Sequence, residues 1–275
     1  MNIEKKVKET IEKYHLLNKK EGIAVALSGG KDSTTILYIL YKLGYNVEGL
    51  MIDLHLGEWS KTHLRNMERF CSELGVKLNV VDMKKELGYG ICFIKKIVKE
   101  RKNMTGCSVC GIVKRWILNR YAKKLGFDKL VTGHNLDDEA HTVLMNFLKG
   151  NILLGINSTP STGNESVKGF VQRVKPLFFI PEDEIRKYAQ RKKFDILYDK
   201  CPCAFGTYRV ETRKWMNDLN LSYKDKLKIV SGFQKIIPKI KVKNNSSGEI
   251  EICKECGEPC RKDVCNACKV FQCLK

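Results

Sequence analysis

A glycine-rich hexapeptide between an apolar run and an amphipathic run limits the possible folds of this chain more than any other feature. The residues IAVAL at 23–27 are typical of a buried strand, and SGGKDS at 28–33 follows them directly. The run 34–44 repeats apolar residues at helical spacing and closes on Gly44. Where a strand turns through glycines into a helix, backbone N–H groups and the positive end of the helix dipole face one anion. The hexapeptide therefore predicts a phosphate site.

All six residues of the hexapeptide are candidate phosphate ligands. The lysine adds positive charge beside the helix start, and the two serine hydroxyls add hydrogen-bond donors. The spacing differs from the GxxxxGK[ST] pattern of a Walker loop. A plain glycine turn is the alternative, but the preceding strand, the hydroxyls and the lysine favour binding. The candidate nucleotide ligands are Ser28, Gly29, Gly30, Lys31, Asp32 and Ser33.

The segments after the hexapeptide continue to alternate between strand and helix. This alternation predicts an α/β fold, in which a parallel sheet is wrapped by helices. Asp53 ends the second strand, where such folds place contacts to ribose or adenine, but it suits a strand-end cap equally well. Residues 151–169 are rich in Asn, Ser, Thr and Gly and predict a loop. The predicted strands are 47–54, 77–83 and 128–133, and the predicted helices are 3–18, 58–74, 110–125, 136–149 and 181–191.

A strong positive charge indicates a polyanionic partner. The chain has 50 Lys and Arg against 31 Asp and Glu, which gives a net charge of +19. Residues 186–275 contain 21 of the basic and 10 of the acidic residues, and residues 93–120 form a second basic block. A solvated lysine-rich surface is the alternative for any single patch. A polyanion is the first candidate partner, although charge alone does not identify a nucleic acid.

The twelve cysteines point to a reducing compartment. The opening MNIEKKVKET has no apolar h-region, and no apolar run approaches the roughly 18 residues that span a bilayer. We therefore expect a cytoplasmic protein with no membrane contact, in which closely spaced thiols more often bind metal than form disulfides. Cys71 and Cys92 lie among apolar neighbours without a nearby thiol, and both are predicted to be core residues.

Two CxxC pairs near the C-terminus predict a small zinc module. Tetrahedral zinc prefers four thiolates from two tight turns, and with so few apolar residues the metal must supply much of the folding free energy. Redox-active thiols are the alternative, and Cys260 and Cys273 are left over. The predicted zinc ligands are Cys253, Cys256, Cys265 and Cys268. The predicted division is a nucleotide-binding catalytic domain at 1–208, a basic helical extension and linker at 209–248, and the zinc module at 249–275. Within the extension, 209–236 is predicted to be helical and 235–249 to be a linker.

Motifs in a fixed order give the chain a resemblance to a known family. SGGKDS after an apolar first strand resembles the PP-loop superfamily, also called the adenine nucleotide alpha hydrolases. GCSVCGIVKR at 106–115, TGHNLDDEA at 132–140 and Cys201-Pro202 resemble its tRNA 2-thiolation branch, and the resemblance covers nearly the whole chain. It implies a Rossmann-like PP-loop fold that binds ATP with Mg²⁺, adenylates a substrate and releases pyrophosphate. Gly133 and the hexapeptide fall on nucleotide-binding positions.

The resemblance also implies a 4Fe-4S cluster. Its three protein ligands would be Cys107, Cys110 and Cys201. An iron that lacks a protein ligand is able to bind an exogenous sulfide. Cys203 is an alternative to Cys201, which we prefer because it precedes the proline. A persulfide-carrying pair without iron is the second alternative.

Two charged residues match the catalytic positions of the family. Lys114 follows Cys110 by four residues, and Asp137 lies in GHNLDDEA. A lysine neutralises charge on the adenylate or the leaving phosphate, and a carboxylate orients the base or transfers a proton. A helix cap is the alternative for Asp137. His134 and His141 have no recognisable metal-ligand spacing, so we predict packing or capping for both.

The implied reaction replaces the C2 oxygen of a tRNA uridine with sulfur. That oxygen attacks ATP to give an adenylated base and pyrophosphate, and sulfur then displaces AMP. The terminal cysteines and GHNLDDEA favour the wobble uridine ahead of the T-loop uridine, yet residues 1–27 lack the cysteine-rich module of these relatives. The alternatives are persulfide chemistry, a cytidine-32 thiolase, a lysidine synthetase and an inactive tRNA-binding zinc protein. The implied partners are tRNA, a second copy in a homodimer, and a sulfur donor, which is free sulfide, a desulfurase or a ubiquitin-like thiocarboxylate carrier.

Overall fold

The computed structural model describes residues 1–102, 104–163, 169–199, 201–203, 208–243 and 250–275. Its α-helices are α1 Ile3–Tyr14, α2 Lys31–Lys42, α3 Glu58–Leu74, α4 Met83–Leu87, α5 Ile91–Lys102, α6 Gly106–Lys124, α7 Leu136–Leu148, α8 Glu182–Arg191, α9 Tyr208–Asp218, α10 Tyr223–Lys243 and α11 Asn266–Phe271. Its strands are β1 Ile23–Leu27, β2 Val47–Asp53, β3 Leu78–Asp82, β4 Lys129–Val131, β5 Ser161–Thr162, β6 Gln172–Val174, β7 Glu251–Ile252 and β8 Pro259–Cys260. Short 3₁₀ turns cover Ile152–Asn157 and Gln272–Leu274.

Six strands form one sheet in the order β3-β2-β1-β4-β6-β5, and among the described strands of this sheet only β5 runs antiparallel to its neighbour. Ala24 of β1 lies opposite Glu48 of β2 and Leu130 of β4. The strand order changes direction between β1 and β4, and this opens a crevice at the carboxyl ends of the two strands. The predicted α/β fold with a mostly parallel sheet is confirmed.

Helices cover both faces of the sheet. The layer that contains α1, α2, α3 and α8 buries Leu40 and Val25, whereas the layer that contains α5 and α6 buries Ala24 and Val113. Strand β1 therefore contributes side chains to both layers. A parallel strand that is covered on both faces carries a continuous apolar run, and such a run at 23–27 allowed β1 to be predicted from the sequence.

The C-terminal cysteine segment packs on α6. Val270 belongs to the apolar layer under α5 and α6. The ring of Phe271 meets the ring of Trp116 edge-on, with 5.0 Å between their centroids. Asn119 of α6 donates a hydrogen bond to the buried Glu258. One helix thus supports both the sheet and the terminal segment.

Two helices begin earlier than predicted. α2 begins at Lys31 instead of residue 34, because Gly30 is its N-cap in an extended conformation. α6 begins at Gly106 instead of residue 110, so both cysteines of the first CxxC pair lie on a helix. The predicted loop 151–169 contains a 3₁₀ turn and β5, and its residues 164–168 lie outside the described part.

The basic extension forms two helices, α9 and α10, and the second continues into the predicted linker as far as Lys243. Pro238 therefore lies inside a helix, and the prediction of a linker from residue 235 is wrong up to that point. Val230 and Ile237 are buried two turns apart, so packing holds the part of the helix that precedes the proline on the core. Within the described residues, no helix is sufficiently long and apolar to cross a bilayer.

Candidate active site

The hexapeptide after β1 forms a closed loop at the start of α2. The hydroxyl of Ser33 accepts a hydrogen bond from the backbone N–H of Ser28 at 3.2 Å and donates one to the carbonyl of Gly30 at 3.1 Å. Gly29 has a positive φ of 76°, and a side chain there would overlap the buried ring of His63. The loop is therefore shaped by backbone that only glycine tolerates, and it lies where helix α2 directs its positive dipole.

Lys31 and Asp32 lie in a charge network that extends from the loop to α8. The ammonium of Lys31 bonds to Asp32 at 2.9 Å and to Glu182 at 2.7 Å. Arg213 of α9 bonds to the second oxygen of Glu182 at 2.7 Å. Burial opposes the charge of Lys31, but the carboxylates of Asp32 and Glu182 outweigh burial and raise the pKa of this lysine. The lysine is thus positioned and kept positive at the loop.

The segment after β4 reaches the same loop. A Cβ on Gly133 would lie 2.8 Å from the backbone nitrogen of Ser33, so the backbone here packs directly on the start of α2. Asn135 donates to Asp32 at 3.0 Å and forms a capping box with Asp138 at the start of α7. The structure therefore brings Gly133, predicted from a separate motif, to the hexapeptide.

Asp137 lies in the first turn of α7, and its side chain contacts the first turns of α8 and α10. Its carboxylate accepts a hydrogen bond from the backbone N–H of Glu182 at 2.7 Å and one from the ammonium of Lys226 at 2.6 Å. Pro181, the N-cap of α8, has no side chain that could cap the helix, and Asp137 takes this role from α7. No hydrogen bond or ion pair among the described residues joins Asp137 to Lys114.

Asp53 lies at the end of β2, next to the end of β3. Its carboxylate accepts a hydrogen bond from the backbone N–H of His55 at 2.9 Å, and the ring of His55 bonds to Asp82 at 2.7 Å. Asp53 therefore caps the turn after its strand. The pairing of β2 with β1 and β3 places Asp53 at the carboxyl edge of the sheet, which is also the edge that carries the phosphate loop.

Three thiols converge at the start of α6. Cys107 and Cys110 lie in the first two turns of that helix, and each of the three thiols is half-buried. Burial raises the pKa of Cys110, the neighbouring Lys114 and Lys95 oppose this effect, and the charges of Cys201 and Cys107 add to it. Lys95 bonds to the carbonyl of Cys203 and packs on Gly106, so the segment 201–203 lies beside the start of α6, although it follows the pair by more than ninety residues. A helix N-terminus and lysines favour thiolates, which are the ligands of iron–sulfur clusters.

Cys92 is not a core residue, and its prediction as one is wrong. Its thiol is exposed at the start of α5 and lies 2.9 Å from the Sγ atom of Cys203. Cys71, by contrast, is buried as predicted. The apolar residues around Cys92 belong to the other faces of α5, which carry Ile91 and Ile94 into the core.

Basic residues surround a cavity of about 450 Å³ between α6 and the terminal cysteine segment. Its lining includes Trp116 and Phe170, with the guanidinium groups of Arg115 and Arg173 and one carboxylate, that of Glu258, which bonds to α6. Burial and the charge of Arg115 lower the pKa of Arg173 to about 10, so the group is still charged at neutral pH. Neither arginine has a carboxylate partner among the described residues. The cavity is therefore suited to an anion beside flat rings.

The terminal cysteines form a compact group. The Sγ atoms of four residues all lie within 4.8 Å of one another, and these are the predicted ligands Cys253, Cys256, Cys265 and Cys268. Burial opposes the charge of Cys253, but N–H groups of the two turns outweigh burial and lower its pKa to about 6. Cys260 is not one of the four, and its thiol bonds to the carbonyl of Lys262 and interacts with Cys253. Four thiols in this arrangement fit one tetrahedral metal ion.

Sequence reasoning missed the residues that join the predicted ones together. Glu182, Arg213 and Lys226 connect the loop and Asp137 to the helical extension, and Asn135 connects α7 to Asp32. Glu182 had been noticed only as part of a helix start. The charged residues at a phosphate loop need ion-pair partners, but the spacing of residues in the sequence does not indicate which distant residue is the partner. His141 is buried as predicted. His134 is exposed and bonds to the hydroxyl of Thr132, so it neither packs in the core nor caps a helix, and its prediction is wrong.

Comparison with known proteins gives consistent matches over most of the chain. Residues 1–203 match the family model described as a PP-loop domain. The tRNA-5-methyluridine(54) 2-sulfurtransferase of Pyrococcus horikoshii is 38% identical over 98% of this chain and 84% of its own length. The protein of the same name from Thermus thermophilus is 34% identical over 96% and 82%. The U34-tRNA thiolase NcsA from Methanococcus maripaludis, solved with its [4Fe-4S] cluster, is 30% identical with a TM-score of 0.80, over 99% of this chain and 87% of that one.

Proposed function

Because this chain belongs to the PP-loop family, within the group that contains the tRNA 2-thiolation enzymes, we propose that it is an ATP-dependent tRNA-uridine 2-sulfurtransferase. The observation that carries this proposal is the combination of a phosphate loop with three converging thiols, Cys107, Cys110 and Cys201, in one chain. A lysidine synthetase would need the loop but not the thiols. An inactive tRNA-binding protein would need neither.

The phosphate loop would bind ATP together with Mg²⁺. The N–H groups at the start of α2 and the ammonium of Lys31 supply positive charge to the phosphates. Gly133 allows the segment after β4 to approach, and Asp53 lies at the carboxyl edge of the sheet where a ribose or adenine is expected. The uridine C2 oxygen would attack the α-phosphate, and pyrophosphate would leave from the loop. The resulting AMP group makes C2 reactive toward sulfur.

The three thiols at the start of α6 fit an iron–sulfur cluster. They are half-buried, they act on one another electrostatically, and lysines lie around them. Cys107, Cys110 and Cys201 would hold the cluster, with Cys203 as the alternative third ligand. When bound, a cluster with three protein ligands supplies an iron that takes up sulfide. The structurally similar NcsA thiolase from Methanococcus maripaludis carries a [4Fe-4S] cluster, which supports this choice over persulfide chemistry without iron.

Lys114 and Asp137 would have different tasks. Lys114 is half-buried one turn after Cys110 and has no carboxylate partner among the described residues, so its charge is available to the adenylate. Asp137 already accepts two hydrogen bonds, so it would hold Lys226 and the start of α8 in position. It would transfer a proton only if its contact with Lys226 opens.

The substrate would be tRNA. The net charge of +19 supports binding to phosphates, and so do the two arginines beside α6 that lack a carboxylate partner within the described part of the chain. Sequence motifs favour the wobble uridine, but the relatives that are 38% and 34% identical are both named for position 54. We therefore place uridine 54 first and the wobble uridine second. The sulfur donor would be sulfide, a desulfurase or a thiocarboxylate carrier.

The terminal cysteine group would hold zinc and stabilise its segment. We keep the division at residues 208 and 248, so that the zinc module at 249–275 closes the chain. A homodimer is supported by exposed apolar side chains at the end of α7 and the turn that follows, namely Phe147, Leu148, Leu153 and Leu154. A cytoplasmic location is supported by the twelve free thiols and by the name of a Caenorhabditis elegans relative, cytoplasmic tRNA 2-thiolation protein 1.

The test is a metal analysis followed by a thiolation assay. The parent and the triple variant Cys107→Ala, Cys110→Ala, Cys201→Ala are reconstituted anaerobically, and iron, acid-labile sulfide and zinc are quantified. We expect about four irons and one zinc per parent chain, and zinc alone in the variant. Thiolation with ATP, sulfide and tRNA transcripts that carry uridine only at position 54 or only at position 34 then identifies the base. Absence of iron in the parent, or thiolation by the variant, would overturn the cluster proposal.

A further inference from the structure

We propose that Cys92 and Cys203 form a sulfur-relay pair, which takes sulfur from a persulfide donor and releases it as hydrosulfide beside Cys107, Cys110 and Cys201. This proposal rests on the proposed thiolation function and names its sulfur source. The pair lies outside the three ligands that the function needs, and neither thiol belongs to the terminal metal group.

Two thiols that are 111 residues apart in sequence touch at the rim of the site. Their Sγ atoms are 2.9 Å apart, so a disulfide of about 2.05 Å needs only a small movement. Cys92 is exposed at the start of α5, whereas Cys203 is half-buried. An external donor therefore reaches Cys92 first, and Cys203 is the thiol that can resolve what Cys92 receives.

Lys95 connects the pair to the cluster ligands. It lies one turn after Cys92 on α5, and its ammonium donates a hydrogen bond to the carbonyl of Cys203 at 3.2 Å. The same side chain packs on Gly106 at the start of α6, where a Cβ would lie 2.5 Å from Lys95 Cε. Lys95 therefore spans the distance between the thiol pair and the helix that carries Cys107. Hydrosulfide released at the pair would leave next to a positive charge that faces the ligand set.

The relay balances in two steps. The Cys92 thiolate attacks the terminal sulfur of a persulfide R–S–SH, the donor S–S bond breaks, RS⁻ leaves, and Cys92 carries –S–SH. The Cys203 thiolate then attacks the inner sulfur of that persulfide, a Cys92–Cys203 disulfide forms, and HS⁻ leaves. Two thiols supply the two electrons that reduce the transferred sulfur. A dithiol reductant restores the pair by thiol–disulfide exchange.

The pair also indicates which class of donor it serves. A donor that delivers free sulfide, or sulfur already at the sulfide level as in a thiocarboxylate, needs no oxidisable partner. A persulfide carries sulfur that must gain two electrons before it leaves as hydrosulfide. Two adjacent thiols supply that number, and a single exposed thiol does not. The geometry therefore favours a persulfide donor over the other classes.

The first test compares two sulfur sources on the reconstituted enzyme. Cys92→Ala is assayed for tRNA thiolation with glutathione persulfide and with inorganic sulfide, and Cys71→Ala is the control that removes a buried thiol elsewhere. We expect Cys92→Ala to lose about tenfold in rate with the persulfide and to match the parent with sulfide. Equal loss with both sources, or no loss with the persulfide, would overturn the relay. A parent that fails with both sources would instead overturn the thiolation function.

The second test needs no cluster and no activity. Apo protein is treated with glutathione persulfide, released hydrosulfide is measured, and alkylated peptides are analysed by mass spectrometry. The parent should release close to one hydrosulfide per chain and contain the Cys92–Cys203 disulfide. Cys203→Ser should release none and retain one extra sulfur atom on Cys92. If peroxide forms the disulfide but persulfide releases no hydrosulfide, the pair is only an oxidation-sensitive contact and the relay is overturned.

Discussion

The ammonium of Lys31 and the carboxylate of Glu182 are 2.7 Å apart, although 151 residues separate them in the chain. This ion pair joins the start of α2 to the start of α8 beneath the crevice. The lysine that would meet the phosphates of ATP is thus held in place by a carboxylate before nucleotide arrives. The stability of α8 and the shape of the phosphate loop depend on the same contact.

Glu182→Gln tests this ion pair. The substitution keeps the shape of the side chain and removes the negative charge that pairs with Lys31 and Arg213. We therefore expect the free energy of unfolding to fall by about 2 kcal/mol at pH 7. Urea unfolding measures the change. The matched control is Asp183→Asn, whose partner Lys187 is exposed to solvent, and it should change the value by less than about 0.5 kcal/mol.

The same pair predicts a pH dependence. Burial opposes ionisation of Glu182, but Arg213 and Lys31 outweigh burial and lower its pKa below the ordinary value of 4.5. A group with a lowered folded pKa contributes stability above its unfolded pKa and loses it as the pH falls through the folded value. The difference in unfolding free energy between parent and Glu182→Gln should therefore be constant from pH 7 to about pH 5 and shrink below pH 4.5. A difference that grows in acid would contradict this.

Gly29→Ala tests whether the phosphate loop requires its backbone shape. We expect a loss of about 3 kcal/mol in unfolding free energy together with loss of ATP binding, because φ is positive and the new Cβ would overlap His63. Gly75→Ala is the matched control, since Gly75 is left-handed, with a φ of 66°, but its Cβ would meet open space. It should cost only about 1 kcal/mol and leave ATP affinity unchanged. Calorimetric titration with ATP and thermal unfolding separate the two effects.

Arg173→Ala tests the cavity beside α6 as a contact for tRNA. Removing one guanidinium that neutralises a phosphate should weaken binding and reduce the slope of log Kd against log salt by about one. Arg173→Lys keeps the charge and should restore the slope. Lys8→Ala, on the exposed face of α1, removes one charge from elsewhere and should leave both quantities unchanged. An equal effect of Lys8→Ala would mean that only net charge matters.

Lys114→Met separates catalysis from stability. Because this lysine has no ion pair among the described residues, its loss should leave the melting temperature within about one degree of the parent while kcat falls by about two orders of magnitude. Asp137→Asn should lower both the melting temperature and kcat, because it weakens the contact with Lys226 and the cap of α8. If Lys114→Met is as active as the parent, the role assigned to this lysine is wrong.

The parallel sheet was predictable because buried strands carry uninterrupted apolar runs. The prediction for β1 matches the structure, and β2 was predicted one residue too long. The start of α6 was missed because glycines at 106 and 111 hide its helical pattern. The segment from residue 235 was predicted to be a linker, but α10 continues through Pro238 to Lys243, and Ile237 within it is buried.

Contiguous motifs predicted two of the groupings that the structure shows. Gly133 lies against the hexapeptide, and, separately, the four terminal thiols lie within 4.8 Å of one another. Pairs of residues distant in sequence, such as Lys31 with Glu182 and Cys92 with Cys203, were not predictable. Each of these residues looks ordinary in its local sequence, and only the packing of helices on the sheet brings the partners together.

Helix α6 carries Cys107 and Cys110 at its first turns and supports the terminal segment through Trp116 farther along. A helix rotates by about 100° per residue, so one residue inserted between Cys110 and Trp116 would turn the terminal segment to a different side of the axis. Insertions in this short stretch would misalign two cysteine centres at once. The number of residues along this helix therefore sets the angle between the first CxxC pair and the terminal cysteine segment.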